Sequence, residues 1–357
     1  MSGITGTCNV CCSCFQEVAC SSQEIGGATA TDGSINKIKG VWKVINNRYV
    51  LTTFHENPGY VRTVDVIDPE NPVFLPTTVT INNGPNGCDA TDNYLYLPCN
   101  TGHLYIVDIT DPTALSTVGY STSFTNSQIF DISVDDNESY AYGANASGKG
   151  LLVFDISNKS SPTLTTNISF NAGGVRWRDD NVYITKYNTN ELLVYNVSTP
   201  ASPNLIGSVA GFTFPVPVEL HPTEAVAYVG GYNNNNLWAV DISDPTNPTV
   251  TANINIAGNG QPHFGSINFQ GDFIYLNSLD GYITVIAIHD PASPVVVCSM
   301  NTGYNSPMER MLINGDYLYL PDRNAGLDYF KVREQDYNTY YSSKNIIVNG
   351  SITSLTQ

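Results

Sequence analysis

Side chains that could carry out chemistry are spread along most of the chain. They are carboxylates, guanidinium groups, imidazoles and indoles, at Trp42, Asp89, Asp131, Arg176, Trp177, Glu219, His221, His263, Glu309 and Arg310. Carboxylates together with a histidine could bind a divalent cation or act as a general acid and base. No metal-ligand spacing, nucleophile elbow, phosphate loop or dinucleotide fingerprint connects them, so only the fold could bring them together.

The cysteines form a second chemically distinctive set. Five lie in the first twenty residues and three in the body of the chain, at Cys8, Cys11, Cys12, Cys14 and Cys20, then Cys88, Cys99 and Cys298. Cys88 and Cys99 flank one predicted hairpin, which makes them disulfide candidates. The terminal cluster could form disulfides, remain as free thiols, bind zinc, be acylated or bond to another molecule. We interpret the cysteine-rich tail as an anchoring segment.

Composition narrows the class of protein. A formal net charge of −17 excludes a nucleic-acid binder that relies on a general basic field. Hydrophobic residues at 41% can form a core, and abundant Tyr, Gly and Pro favour strands and tight turns over helices. The sequence shows neither an apolar run of the ~20 residues that span a bilayer nor a standard signal peptide. We therefore expect an all-β chain with almost no helix.

A repeated motif sets the architecture that must position these residues. Its seven copies, the last one degraded, recur every 41 to 47 residues: VDVIDPENP from Val64, VDITDPTAL from Val107, FDISNKSSP from Phe154, YNVSTPASP from Tyr195, VDISDPTNP from Val240, IAIHDPASP from Ile286 and FKVREQD from Phe330. A second element, such as NYLYLPC at Asn93 and DYLYLPD at Asp316, precedes each copy. Such a period is typical of repeat folds.

Each repeat predicts four short strands. In the second repeat they are residues 88–91, 94–97, 103–109 and 114–120, and the alternating Tyr and Leu of YLYL give the sheet two apolar faces. Stacking such sheets radially buries both faces. The sequence thus predicts a seven-bladed β-propeller of four-stranded antiparallel blades over residues 27–357, after a cysteine-rich extension over 1–26. Residues 27–39 from one end and 336–343 or 345–352 from the other could fasten the ring, and we expect mixed closure.

Acidic residues in the motif have a structural explanation. Asp68, Asp111 and Asp244 each precede a proline, which fixes the backbone for a tight turn after the third strand. Asp65, Asp108, Asp155 and Asp241 lie inside predicted strands, and their carboxylates are expected to accept hydrogen bonds from turn amides. We interpret both series as scaffold.

The runs LYIVDITDP, LLVFDISNKSSP and LWAVDISDPTNP resemble the LVIVD repeats of bacterial and archaeal propeller proteins. The resemblance covers residues 41–332; Asn196 stands in place of the motif aspartate in one copy, and Ala287 and Lys331 depart from it in two others. It implies a propeller of a kind often found on cell-surface proteins, usually without an assigned reaction. No catalytic residue is therefore carried over from the family.

In a propeller, the chemically competent side chains would lie on loops leading into the innermost strands, around the central channel. The favoured interpretation is solvated loop residues and channel salt links, with Arg176 facing Asp131 or Glu219 and neutralising the carboxylates. A divalent cation among Asp89, Asp131, Glu219 or His263 is the alternative, and otherwise no cofactor is expected.

Three functional hypotheses follow. The first is a non-enzymatic scaffold for recognition, adhesion or assembly, displayed on a cell surface, an extracellular filament or a virus particle, with a protein or glycan partner. The second is a lactonase-type hydrolase with a channel cation. The third is an intracellular protein-interaction hub. The first is favoured, because the sequence contains no catalytic signature.

Overall fold

The computed structural model describes residues 6–7, 22–28, 38–54, 58–68, 71–82, 84–123, 128–232, 234–256, 262–278, 281–301, 310–315, 317–322 and 326–332. Every regular element in these ranges is a β-strand, as the composition predicts. No helix that could cross a membrane occurs in them.

The strands follow one another in short hairpins. In chain order they are β1 (Gly6–Thr7), β2 (Ser22–Ala28), β3 (Ile38–Ile45), β4 (Tyr49–Phe54), β5 (Gly59–Asp65), β6 (Val73–Ile81), β7 (Asp89–Ala90), β8 (Tyr94–Pro98), β9 (Leu104–Asp108), β10 (Ser116–Tyr120), β11 (Ile129–Val134), β12 (Tyr140–Asn145), β13 (Gly150–Asp155), β14 (Thr163–Ile168), β15 (Ala172–Arg178), β16 (Asn181–Lys186), β17 (Glu191–Asn196), β18 (Asn204–Ala210), β19 (Pro215–Leu220), β20 (Val226–Gly231), β21 (Asn236–Asp241), β22 (Thr249–Asn255), β23 (Pro262–Gln270), β24 (Phe273–Ser278), β25 (Tyr282–Ala287), β26 (Val295–Asn301), β27 (Leu312–Asn314), β28 (Tyr317–Asp322) and β29 (Gly326–Val332).

These strands form the antiparallel sheets of a β-propeller, but the predicted count of seven four-stranded blades is wrong. Six blades have four strands: β3–β6, β7–β10, β11–β14, β15–β18, β19–β22, and β27–β29 with β2. The remaining sheet has five strands, because β1 pairs with the outer edge of β26 through Gly6 opposite Met300 and Thr7 opposite Ser299. A two-residue strand carries no periodic pattern, so the repeat could not reveal it.

The ring is closed by strands from both ends of the chain. β2 pairs antiparallel with β29, with Ser22 opposite Val332 and Ala28 opposite Leu327. The backbone N–H of Val41 also donates to the carbonyl of Arg310, which links the first long inner strand to the closing blade. The N-terminal segment predicted for closure was 27–39, but the closing strand is Ser22–Ala28 and shares only residues 27 and 28 with it. The C-terminal candidates at 336–343 and 345–352 lie outside the described residues.

The Tyr–Leu alternation fills the two faces of each blade. On β8, Leu95 and Leu97 pack with Val61 between this blade and the preceding one, whereas Tyr96 packs with Ile132 between this blade and the next. All three β8 residues are fully buried. Successive residues of a strand point to opposite faces, so one strand supplies two hydrophobic cores.

The predicted role of the motif aspartates is confirmed. The carboxylate of Asp65 accepts from the N–H of Ile67 at 3.0 Å, and that of Asp241 accepts from Ser243 at 2.8 Å. Asp108 and Asp155 make the same bond with the residue two positions ahead. Asp111 and Asp244 repeat this bond one turn later, to the N–H groups of Thr113 and Thr246, both at 2.9 Å.

These turns also hold neighbouring blades together. The outer strands β10 and β18 carry Gly119 and Gly207 where the next blade's turn approaches: a Cβ there would lie 2.4 Å from the carbonyl oxygen of Ser160 and 2.2 Å from that of Pro245. On β6 the hydroxyl of Thr77 donates to the carbonyl of Thr113 at 2.7 Å. Each turn therefore packs against the preceding blade, which the sequence did not indicate.

Candidate functional site

A buried ionic cluster lies on neighbouring inner strands of the ring. Arg176 on β15 donates from Nη1 to Asp131 Oδ2 on β11 at 2.7 Å, and from Nε to Glu219 Oε2 on β19 at 2.6 Å. Its Nη2 contacts the other Glu219 oxygen. The three side chains are 14%, 3% and 15% exposed. The neutralisation of both carboxylates by Arg176 is thus confirmed.

Backbone groups complete the surroundings of Asp131. Its Oδ2 also accepts from the N–H of Val175 at 3.2 Å. A Cβ at Gly87 would lie 3.0 Å from Asp131 Oδ1 and 2.4 Å from the carbonyl of Phe130, so a side chain at Gly87 would require this contact to shift. Gly174 lies on the other side, where a Cβ would be 3.4 Å from Oδ2. Small residues on both sides let this carboxylate lie between adjacent inner strands.

Burial and charge act in opposite directions on these groups. Burial raises the pKa of Asp131 above its ordinary value, and the charge of Arg176 opposes this effect. Burial lowers the pKa of Arg176, but the charges of Asp131 and Glu219 outweigh burial and raise it overall. The guanidinium is consequently a permanent cation that holds its two partners in place.

Asp89 borders this cluster without joining the ion pair. Its Oδ2 accepts from the N–H of Val134 on β11 at 2.8 Å, and its Oδ1 accepts from the N–H of Ala90 at the same distance. Its negative charge contributes to the raised pKa of Arg176. Asp89 therefore joins β7 to β11 by a side-chain hydrogen bond.

Trp42 and Arg310 form a separate contact at the seam between the β3–β6 blade and the closing blade. The guanidinium carbon of Arg310 lies 4.7 Å from the centre of the Trp42 ring, a cation–π geometry. The indole N–H of Trp42 donates to Thr53 Oγ1 at 2.7 Å. The charge of Arg310 also lowers the pKa of Asp131, but the two do not form an ion pair.

The other predicted site residues lie elsewhere or cannot be placed. Trp177 packs between blades, and its backbone N–H donates to Ser133 Oγ at 2.9 Å. The Nδ1 of His221 accepts from the N–H of Glu224 at 2.9 Å, so this ring caps a turn, and burial lowers its pKa. His263 lies on β23, of which only the backbone is described there, and Glu309 falls outside the described residues.

The structure shows no disulfide between Cys88 and Cys99, and the side chains of both are buried, as is that of Cys298. Cys99 is bridged to Pro85, and Asp89 is opposite Tyr96, so the ladder does not bring Cys88 and Cys99 face to face. The tail residues Cys8, Cys11, Cys12, Cys14 and Cys20 lie outside the described residues.

The contacts within the ionic cluster indicate a structural role rather than proton transfer. All three guanidinium nitrogens that face the carboxylates are engaged, and moving either carboxylate would leave a buried charge unpaired. Within the described ranges, no group of three or more His, Cys, Asp or Glu side chains is arranged to hold a metal ion. The proposed channel cation thus gains no support from these residues.

Some contributors were not found from the sequence. Gly87, Gly174 and the N–H of Val175 shape the surroundings of Asp131, but nothing in their residue types signals this contact. The pairing of Arg176 was predictable, because a cation near several acidic residues on inner strands is expected to pair with at least one of them. The bond from Val134 to Asp89 depends on blade spacing, which the sequence does not specify.

Comparison with known proteins agrees with this architecture. The sequence profile described as "LVIVD repeat" matches residues 89–122, 130–169, 172–211, 224–256 and 263–302, together just over half of the chain. The fold and the repeats define a β-propeller built from LVIVD units. The chain belongs to the LVIVD-repeat family.

Solved structures with a similar fold are distant in sequence. The β-propeller domain of Cps50 (Swd1) from Myceliophteria thermophila has a TM-score of 0.67 at 9% identity, covering 88% of this chain and 100% of that one. Sqt1 of Saccharomyces cerevisiae has a TM-score of 0.61 at 10% identity, covering 87% and 86%, and the computationally designed Ika8 protein gives 0.61 at 10%, covering 87% and 100%. These similarities show the fold alone. No curated protein matches the sequence.

Proposed function

We propose that this chain is a non-enzymatic recognition or assembly scaffold, displayed on a cell surface, an extracellular filament or a virus particle. The repeated propeller fold is consistent with a scaffold or interaction role. Short strands joined by capped turns make a rigid body, and rigid bodies present contact surfaces at a low entropic cost of ordering. The partner would be a protein, a larger assembly or a glycan.

The observation that carries this proposal is the state of the central ionic cluster. An acid–base or metal-dependent enzyme needs carboxylates that are available to substrate or cation. Here Asp131 and Glu219 are both bound by Arg176, and Asp131 is almost completely buried. The chemistry-bearing residues at the centre of the ring therefore serve to hold inner strands together.

Purification from the native source tests the proposal. We expect the protein to copurify in fixed stoichiometry with surface, filament or particle material, and intact-mass analysis without reduction to report the state of the cysteine tail. Recovery as a free monomer from clarified lysate, with all thiols reduced, would favour the intracellular hub instead.

The hydrolase alternative has its own test. Elemental analysis of the purified protein and a screen of lactones and esters should show neither stoichiometric metal nor turnover. A bound divalent cation together with activity that is lost in Glu219→Gln would contradict the scaffold proposal, because that variant removes a charge that the structure otherwise uses only for an ion pair.

A further inference from the structure

We infer that the seams on either side of the closing blade form a binding site for an uncharged oligosaccharide. This deepens the recognition role proposed above and rests on it. The site lies on the face of the ring that carries the inner hairpins and the Asp-Pro turns, which we name the turn face. Because strands alternate in direction, both kinds of turn emerge on this face.

The register of the inner strands places equivalent side chains at three of the seams. Arg178, Gln270 and Asn314 occupy the same position, the last residue of an inner strand, opposite the first residue of the next strand. Arg178 reaches the adjacent blade and donates to the carbonyls of Glu224, at 3.0 Å, and His221. Its long side chain spans that seam.

The equivalent side chains beside the closing blade are shorter. Gln270 donates from Nε2 to the carbonyl of Gly315 at 2.8 Å, and Asn314 donates from Nδ2 to Asn47 Oδ1 at 3.3 Å. Both side chains are shorter than arginine and span less of the seam. A cavity lies at each of these two seams.

The first cavity lies between the closing blade and the β3–β6 blade and has a volume of about 410 Å³. Its walls combine carboxamides with aromatic and aliphatic surface: Asn47, Asn314, Tyr317, Tyr319, Val66 and Ile67. The Ile67 side chain is 69% exposed and the Asn47 side chain is exposed, so the cavity opens to solvent. Its volume falls in the range of ordinary ligand pockets.

The second cavity lies between the closing blade and the five-stranded sheet and has a volume of about 600 Å³. It is lined by Phe269, Gln270 and Asp272 on one side and by Ile313 on the other. Asn314 and Gly315 line both cavities. A linear ligand could therefore cross the turn between them and occupy both.

The chemistry of the walls identifies the ligand class. Sugar rings offer hydroxyl groups to amides and carboxylates and an apolar face to aromatic rings. Among the described residues, those that line the two cavities include no lysine, arginine or histidine, and the chain has a net charge of −17. An anionic ligand would meet an unfavourable potential here, so the ligand is neutral.

Titration of the full-length protein with neutral disaccharides tests this inference. The probes are maltose, cellobiose, diacetylchitobiose and mannobiose, followed by saturation-transfer NMR and calorimetry. We expect at least one of them to bind. Asn314→Arg, which restores the long side chain found at Arg178, and Asn47→Gly, which removes an amide but keeps the left-handed backbone at φ 52°, should each weaken binding by about tenfold or more.

Asp180→Gly is the matched control, because Asp180 has φ 57° in the corresponding hairpin of a blade whose seam is closed. Its affinity should stay within about twofold of the parent protein. Absence of binding by every neutral disaccharide, equal affinity in Asn314→Arg, or preferential binding of anionic sugars or of peptides would overturn the inference. Copurification with a larger assembly alongside any of these results would overturn the inference and leave the proposed function standing.

Discussion

Arg176 shows how a single residue determines whether neighbouring inner strands can stay together. Its guanidinium pairs with one almost fully buried carboxylate and one mostly buried carboxylate on two other blades. Removing one partner of a buried ion pair leaves the other charge uncompensated, which is more costly than never having placed the charges there.

We expect Arg176→Met to lower the free energy of unfolding by about 3–5 kcal/mol, the usual cost of an unpaired buried charge. Urea denaturation followed by tryptophan fluorescence measures the change. Lys186→Met is the control in the same blade, since the Lys186–Glu191 pair is separated by 3.5 Å and about a quarter exposed. Loss of that pair should cost about 0–1 kcal/mol. Equal effects of the two variants would contradict a special role for Arg176.

The close contact of Gly207 with the next blade leads to a second prediction about a single residue. A Cβ there would lie 2.2 Å from the carbonyl oxygen of Pro245, so Gly207→Ala should push the outer strand away from the next blade. We expect a loss of about 1–3 kcal/mol, as in other overpacked sites. Differential scanning calorimetry compares this variant with Ser208→Ala, an exposed neighbour whose replacement should be nearly neutral. Equal melting temperatures of the two variants would show that the backbone can move to accommodate the Cβ without loss of stability.

At the scale of an element, the turn after the third strand of a blade begins with a motif aspartate whose carboxylate is stabilised by hydrogen bonds. The hydroxyl and N–H of Ser157 lower the pKa of Asp155, and the N–H and hydroxyl of Ser243 lower that of Asp241. A carboxyl group whose pKa is lower in the folded state contributes stability above its unfolded pKa of about 3.8, and this contribution is lost as the pH falls through the folded value.

We therefore expect Asp155→Asn with Asp241→Asn to reduce stability at pH 7 and to have a smaller effect as the pH falls, so that the stabilities of the parent and the variant converge in acid, below the unfolded pKa of about 3.8. Asn196 shows that an amide fits this position, since its Oδ1 accepts from Ser198 Oγ at 2.6 Å. Thermal melts between these pH values give the difference. The exposed Asp136→Asn variant is the control, and a gap that widens in acid would contradict the assignment.

The accuracy of the sequence interpretation varies among these elements. The four strands of the second repeat were located to within about two residues, because alternating Tyr and Leu and the turn aspartates are local signals. The β1 strand was missed, because two residues have no period. The Cys88–Cys99 disulfide, which the structure does not show, could not be decided from the sequence, because pairing depends on strand register, and Cys99 lies opposite Pro85.

The candidate site was predictable only in part, for a related reason. Charge type and repeat position suggested that Arg176 neutralises Asp131 or Glu219, and the contacts confirm this. The width of a seam between two blades could not be predicted from the sequence. It depends on how far one side chain reaches across a gap that the packing of whole blades determines. Arg178 and Asn314 hold equivalent positions, yet that equivalence becomes visible only in the strand register.

At the scale of the molecule, stability depends on whether the ring is closed. β2 contributes six residue pairs to the outer edge of β29, from Ser22 opposite Val332 to Ala28 opposite Leu327. Without β2 that edge would present unpaired backbone groups, and the closing blade would keep three strands. Because each blade shields the faces of its neighbours, weakening one blade also weakens the two seams beside it.

Removal of residues 1–28 should consequently destabilise the whole ring, by on the order of 3 kcal/mol or more, given about 0.5–1.5 kcal/mol for each backbone hydrogen bond lost. Removal of residues 1–21 is the matched control, because it deletes β1 and the cysteine tail but leaves β2 paired with β29. Calorimetry should show a single transition near the parent temperature for the shorter deletion and a lower, broader transition for the longer one. Equal melting temperatures would mean that another segment fills the outer position of the closing blade, and that β2 is not what fastens the ring.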